Sequence, residues 1–280
     1  MTKVISKDGT TIAFEKVGQG PAIVLVDGAL AYREYFGGRL LAAELAKDFT
    51  VITYDRRGRG ESGDTQPYAV EREVEDIEAL IDDAGSPVYL YGFSSGAVLA
   101  LQAASRLSDK IAALALHEPP FGADDDQARQ EFADFTRRMS ELLAAGKRGD
   151  AVAFFFADML PPDMIEGMRQ SPEWPLMESV AHTLAYDNAV LGDGSVPAGS
   201  ARAATTPVLV LDGELSDDFK HEAADAVTQA MPNARRITIE GQSTLVSPEI
   251  LAPVLREFFD SAAKGSYLYR QPAKMIGERQ

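Results

Sequence analysis

Short apolar runs recur along the two outer parts of the chain. Ala22–Val26, Val51–Tyr54, Val88–Tyr91, Ile111–Leu116 and Pro207–Leu211 show no polar alternation. That is the pattern of strands buried on both faces. Arg235–Ile239 completes the series. Between the runs the apolar spacing switches to the helical period. It predicts helices over Arg39–Lys47, Val70–Ala84, Ala97–Leu107, Asp217–Met231 and Pro248–Ser261. At the start, Lys3–Ser6 and Thr11–Lys16 flank an Asp8-Gly9 turn, a hairpin signal.

From about Phe121 to Thr206 the rhythm changes to helical periodicity without strands. Candidate helices are Gln127–Ala145, Asp150–Leu160, Pro162–Gln170 and Pro175–Leu184, with a Gly-rich stretch, Gly192–Gly199, closing the block. Alternating strands and helices imply a parallel sheet covered by helices on both faces. The helical block interrupts that sheet and is expected over one edge as a cap. The last segment, KGSYLYRQPAKMIGERQ, carries Lys264, Arg270, Lys274 and Arg279 and is expected as a flexible end, with docking onto the acidic body left open.

Composition narrows the partners. The chain has 280 residues, a length suited to one α/β domain carrying an insertion. It holds 27 Lys and Arg against 43 Asp and Glu, a formal charge of −16. Such a balance argues against nucleic acid or an anionic membrane as partner. No run of about 18 apolar residues predicts a membrane span. There is no cysteine, so disulfides, thiolate metal sites and a Cys nucleophile are excluded. This fits a cytoplasmic protein, and the N-terminal stretch has no apolar segment of signal-peptide type. No cofactor and no metal are expected. The expected partner is a small-molecule substrate, and a homodimer is left open. There are three histidines, His117, His182 and His221, so imidazole chemistry must use one of them.

One motif carries chemistry. Gly92-Phe93-Ser94-Ser95-Gly96 follows the strand at Val88–Tyr91 and precedes the helix at Ala97–Leu107. A G-x-S-x-G nucleophile elbow requires that strand–turn–helix context. The turn is too tight for side chains at the glycine positions two residues before and two residues after the serine. The serine then sits at a helix N-terminus, where free N–H groups favour negative charge.

The chain resembles the α/β-hydrolase superfamily through this elbow and through the phrases DRRGRGESGD, SSGAVLAL, EPPF, AHTLAYD and LAPVLREFF. The resemblance spans roughly residues 1–260 and speaks to fold more than to substrate. It implies a mostly parallel eight-stranded sheet with helices on both faces and a helical cap inserted after strand 6. Residues 1–120 and 207–262 would form the core, 121–206 the cap and 263–280 a tail. It also implies Ser94 as nucleophile. The N–H groups of Ala29, after the third strand, and of Ser95 would form an oxyanion hole. Asp55-Arg56-Arg57-Gly58-Arg59-Gly60-Glu61-Ser62 resembles the D-x-R-G-x-G-x-S turn of the superfamily, with a structural role.

Two family positions are altered. The acid usually follows the seventh strand, but Ser216 stands there, and Asp217, one place later, suits a helix cap. Some members, haloalkane dehalogenases among them, carry the acid after the sixth strand instead. That nominates Glu118, 24 residues beyond Ser94. The histidine usually lies after the last strand, where this chain reads Gly241-Gln242-Ser243-Thr244-Leu245-Val246. Thr244 therefore occupies a degenerate position, and its hydroxyl cannot serve as a general base near neutral pH.

His117 neighbours Glu118 at a strand end, and strand neighbours point to opposite faces. His182 lies in the cap and can hang over the pocket. His221 is expected to be solvent-exposed. Phe121, Trp174 and Tyr186 join His117 and His182 as candidate pocket residues for a small apolar substrate. Asp187 is open between a site role and a helix or turn role. Three readings remain. One is an enzyme without a His base, running a cyclase, lyase or acyl-transfer step through Ser94, Glu118 and the oxyanion hole. Another is an esterase or lactonase with His117 or His182 as displaced base. The third is a non-catalytic small-molecule binding protein.

Overall fold

A computed structural model describes residues 2–36, 38–85 and 87–266. Eight strands form one sheet: β1 (Thr2–Ile5), β2 (Thr11–Val17), β3 (Ala22–Val26), β4 (Thr50–Tyr54), β5 (Val88–Phe93), β6 (Ile111–His117), β7 (Val208–Gly213) and β8 (Ala234–Ile239). Their spatial order is β1-β2-β4-β3-β5-β6-β7-β8. The first two pairings, β1 with β2 and β2 with β4, are antiparallel, and the rest are parallel. β3 and β7 are buried at every residue, which explains their unbroken apolar character.

Helices cover both faces. α2 (Val70–Ala84), α3 (Ser95–Arg106) and α10 (Asp218–Ala230) pack on one face, against a core that includes Val24, Ile52, Leu90 and Val210. α1 (Arg39–Leu45) and α11 (Pro248–Ala263) cover the other, against Leu25, Tyr91, Ala115 and Leu211. Asp217 caps α10, its side chain accepting the Lys220 N–H. α11 takes Ala263 into its last turn, and the expected tail lies, from residue 267 on, outside the described residues.

Between β6 and β7 run α4 (Asp126–Ala144), α5 (Arg148–Phe156), α6 (Pro162–Arg169), α7 (Trp174–Val180), α8 (Leu184–Leu191) and α9 (Ala198–Ala203). The helix expected over Pro175–Leu184 is broken. A 3₁₀ turn at Ala181–Thr183 separates α7 from α8, and the Thr183 hydroxyl donates to the Val180 carbonyl at 2.7 Å. The break redirects α8 so that Asp187 points into the protein, where it is buried. α9 lies partly inside the stretch expected to be only a Gly-rich link. These helices share an apolar cluster with the loop after β3: Leu30 and Tyr32 pack with Met139, Trp174, Met177 and Leu184. Among the described residues, no helix is long and apolar enough to cross a membrane.

Candidate functional site

Ser94 links β5 to α3 at the carboxyl edge of the sheet. Its backbone is left-handed, with φ 53° and ψ −127°. Such a conformation costs a non-glycine residue about 1–3 kcal/mol and persists only where surroundings impose it. Here the Ser94 N–H donates to the His117 carbonyl at 2.9 Å, and the Ser94 carbonyl accepts the Ala97 N–H at 2.8 Å. Glycines let the turn close. A Cβ on Gly96 would lie 2.2 Å from the Val26 carbonyl oxygen. A Cβ on Gly28 would lie 3.0 Å from the Ser94 Cβ, so the loop after β3 runs directly against the serine. Ser94 and Ala29 are half-buried. Ser95 opens α3, and its N–H is one of the four at a helix start without an intrahelical acceptor.

Glu118 follows β6, buried, with φ 46°. Its N–H donates to the Leu211 carbonyl at 2.8 Å. Its Oε1 accepts the Gly213 N–H at 3.2 Å and the Ser216 hydroxyl. Its Oε2 is buried with no hydrogen-bond partner among the described residues. Ser216, standing where an acid was sought, thus holds the carboxylate that comes from the neighbouring strand. The loop after β8 lies on the same spot: a Cβ on Gly213 would meet the Gln242 carbonyl oxygen at 2.5 Å. The Leu215 N–H donates to that carbonyl at 2.7 Å. Thr244, in this loop, is half-buried.

Among the described residues none of the three imidazoles hydrogen-bonds the Ser94 or Glu118 side chain. His117 Nδ1 pairs with the Tyr91 hydroxyl at 2.8 Å, and its ring tilts against Phe93 with centroids 5.1 Å apart. Burial pushes its pKa down to about 4, so the ring is neutral at pH 7, and Nε2 has no partner among the described residues. His182 Nε2 sits 3.5 Å from Asp64 Oδ2, with the ring edge-on to Tyr186. His221 is not an exposed side chain as expected: it is half-buried and pairs with buried Asp212, which also binds Arg236. α10 turns that residue toward the end of β7, a placement that helical periodicity alone does not resolve.

Among the other pocket candidates, Phe121 is buried in the sheet–helix core, and Trp174 is buried in the apolar cluster of the inserted helices. Tyr186 stacks on Tyr68 at 3.9 Å and donates to Asp64. Ala29, Tyr35, Phe135, Phe154, Phe155 and Met168 are only partly buried around that cluster.

Beneath the site lies an ion network that the sequence reading treats as an ordinary turn. Arg33, Arg56, Arg57 and Arg59 are all buried. Arg56 forks onto Glu73 through Nε (2.8 Å) and Nη2 (2.7 Å), and its Nη1 reaches Asp187 at 2.6 Å. Arg57 forks onto Asp76 at 2.8 and 2.7 Å. Arg59 reaches Asp187 at 2.7 Å, and Asp187 also accepts the Ser95 hydroxyl at 2.7 Å. Burial drives the Asp187 carboxyl up, but Arg59 and Arg56 outweigh it and hold the pKa below the usual carboxylate value. The signal that could have found this was present: Glu73 and Asp76 fall on the α2 face that carries Val74, Ile77 and Leu80. Among the described residues, no group of three or more His, Cys, Asp or Glu is placed to hold a metal ion.

Asp27, at the end of β3, behaves oppositely. Burial raises its pKa to about 6, against one backbone N–H from Gly38 and the fields of Arg59 and Arg56; Asp55 adds to the rise. Between its unfolded value near 3.8 and about 6, the unfolded chain ionises first. Stability is therefore lost as pH rises through that window and levels above it. Asp27→Asn removes this loss. In urea titrations its advantage over the wild type should grow from pH 4 to pH 6 and then stay constant. A difference independent of pH contradicts the assignment.

Comparison with known proteins agrees with the fold. The sequence profile of the alpha/beta hydrolase family matches residues 23–253. A solved alpha/beta hydrolase from Sphaerobacter thermophilus is 48% identical, with a TM-score of 0.83 over 92% of this chain and 100% of that chain. An esterase from Thermogutta terrifontis, 24% identical over 93% of this chain and 98% of its own, shares the fold with a TM-score of 0.71. The uncharacterized hydrolase YraK of Bacillus subtilis is 35% identical over 115 residues, 40% of this chain. Lipase LipV of Mycobacterium tuberculosis is 28% identical over 144 residues, 51% of this chain. The chain spans about half the length of these two curated relatives, 42% and 54%. The chain belongs to the alpha/beta hydrolase family.

Proposed function

We propose that this chain is an enzyme that activates a carbonyl group of a small apolar molecule without an imidazole base, in a cyclase, lyase or acyl-transfer step rather than ordinary ester hydrolysis. The observation that carries it is Glu118. One oxygen is held by Gly213 and Ser216, the other has no partner among the described residues, and none of the three histidines hydrogen-bonds the Ser94 or Glu118 side chain there. In this reading the substrate carbonyl oxygen sits between the N–H groups of Ala29 and Ser95. Glu118 Oε2 accepts a proton from the carbon beside the carbonyl. The electron pair of the broken C–H bond moves onto the carbonyl oxygen, where the two N–H groups stabilise the enolate. Ser94, a weak nucleophile without a base, positions the substrate through its hydroxyl. The partly buried aromatic residues that pack on the same apolar cluster as Ala29 supply the apolar wall.

The test is deuterium exchange beside the carbonyl in a panel of small apolar ketones, esters and lactones, read by NMR, alongside p-nitrophenyl ester turnover. Glu118→Gln should lower exchange by about 10²-fold or more, the typical worth of a positioned base. His117→Ala and His182→Ala should leave exchange unchanged. Absence of exchange in the wild type would refute the reading.

The displaced-base esterase keeps one supporting observation. His117 is neutral, its Nε2 lacks a partner among the described residues, and its carbonyl holds Ser94. Ester turnover abolished by His117→Ala would establish that alternative. Ligand binding with neither exchange nor turnover would instead mark a binding protein.

A further inference from the structure

Both sides of the proposed oxyanion hole are tied to one carboxylate. On the strand side, Arg59 Nη1 donates to the Gly28 carbonyl and to the Ala31 carbonyl (3.1 Å), which bracket Ala29. Its Nη2 donates to Asp187 Oδ2 at 2.7 Å, and its Nε to Thr183 Oγ at 3.1 Å. On the elbow side, the Ser95 hydroxyl donates to Asp187 Oδ1 at 2.7 Å. Arg56 Nη1 donates to that same Oδ1 at 2.6 Å and to the Asp27 carbonyl at 3.3 Å. All five side chains, those of Arg56, Arg59, Ser95, Thr183 and Asp187, are buried. Asp187 belongs to α8, a helix of the insertion, whereas Ala29 and Ser95 belong to the sheet edge.

We infer that Asp187 is a positioning residue that aligns the Ala29 and Ser95 N–H groups, so that seating of α8 against the sheet assembles the oxyanion hole. The physical reason is direction. A carbonyl pinned by Arg59 on each side of Ala29 fixes the peptide planes of that loop, and hence where its N–H points. Ser95 is held about the same carboxylate, so the two donors move together or not at all. The inference rests on the oxyanion hole of the proposed function. It adds that the hole is conditional on the inserted helices, and it places Arg59 as the arm that reaches the loop.

The experiment uses the full chain, with phenylboronic acid and p-nitrophenyl butyrate as probes. The Ser94 hydroxyl adds to boron, its proton leaves to solvent, and the negative tetrahedral boronate places an oxygen in the hole. Asp187→Asn keeps the shape of the side chain and removes its charge. It should weaken boronate binding and lower kcat by about tenfold, with KM changed less than about twofold, because misplaced donors act on the transition state rather than on binding. Ser95→Ala cuts one link and should lower both by about threefold on the same grounds. Glu73→Gln disturbs the same ion network one step further from the hole. It should lower the melting temperature while leaving kcat and boronate affinity unchanged.

A folded Asp187→Asn protein with wild-type kcat and boronate affinity overturns the inference. So does a Glu73→Gln protein that loses as much kcat as Asp187→Asn. If Asp187→Asn does not fold, Ser95→Ala decides: unchanged kcat and affinity overturn the inference. If the wild type neither binds the boronate nor turns over the ester, the same variants are read by deuterium exchange: exchange unchanged in Asp187→Asn overturns the inference, whereas exchange absent from the wild type refutes the proposed function itself.

Discussion

Arg56→Ala should destabilise the protein by about 3–5 kcal/mol, because removing one partner of a buried ion pair leaves the others uncompensated. In this chain two carboxylates are stranded at once. Glu73 loses both bonds of the fork, and Asp187 loses one of its two cationic partners. Neither can be rehydrated, since both lie within the protein. For a domain of this size the loss corresponds to roughly 10 °C in melting temperature. Calorimetry of the variant checks it. The triple variant Arg56→Ala, Glu73→Ala, Asp187→Ala sharpens the argument. It removes the charges along with their partner, so the loss should be less than the sum of the single losses. An Arg56→Ala protein within about 1 kcal/mol of wild type, the range of a surface pair, would mean that water reaches the network.

Thr244→His should raise p-nitrophenyl ester hydrolysis by about 10²-fold, the lower end of what a positioned general base contributes. The geometry favours gain at this position above others. The loop of Thr244 lies against Gly213, whose N–H binds Glu118 Oε1, and Glu118 Oε2, without a partner among the described residues, can accept an incoming imidazole N–H. The new activity should vanish in Thr244→His combined with Glu118→Gln or Ser94→Ala. It should also fall below pH 6, as the imidazole protonates. Steady-state kinetics of the single and double variants decide the matter. A single variant no faster than wild type would show that residue 244 does not lie between Ser94 and Glu118. The enolising reading of the native protein would then lose its simplest explanation for the missing base.

These expectations draw unequally on sequence and structure. The eight strands, the helices on both faces and the elbow at Ser94 were legible because each is a local pattern. Unbroken apolar runs mark strands buried on both faces. Gly92 and Gly96 flank a serine at a strand–helix junction, and Gly96 has no room for a Cβ. Thr244, at the position where the family resemblance implies a histidine, was legible as a departure from a familiar phrase. Glu118 was nominated by the family resemblance, from its place after the sixth strand, but its orientation depends on Gly213 and Ser216, almost a hundred positions away, as their bonds to it show.

What the sequence by itself determined is the periodicity, and hence the layers, since burial of apolar faces is dictated by residue order over a few turns. It also determined which residue types are on hand for chemistry: three histidines and no cysteine. Only the tertiary structure decided where the charges go. Arg56, Arg57 and Arg59 read as polar turn residues, and Asp187 stayed open between a site role and a helix or turn role, because a charge on its own belongs in water. They are buried because folding brings their partners from α2 and α8 within bonding distance, and a hydrogen-bonded pair can enter a low-dielectric interior that a lone charge cannot. That pairing is a property of three-dimensional neighbours, and no local pattern encodes it.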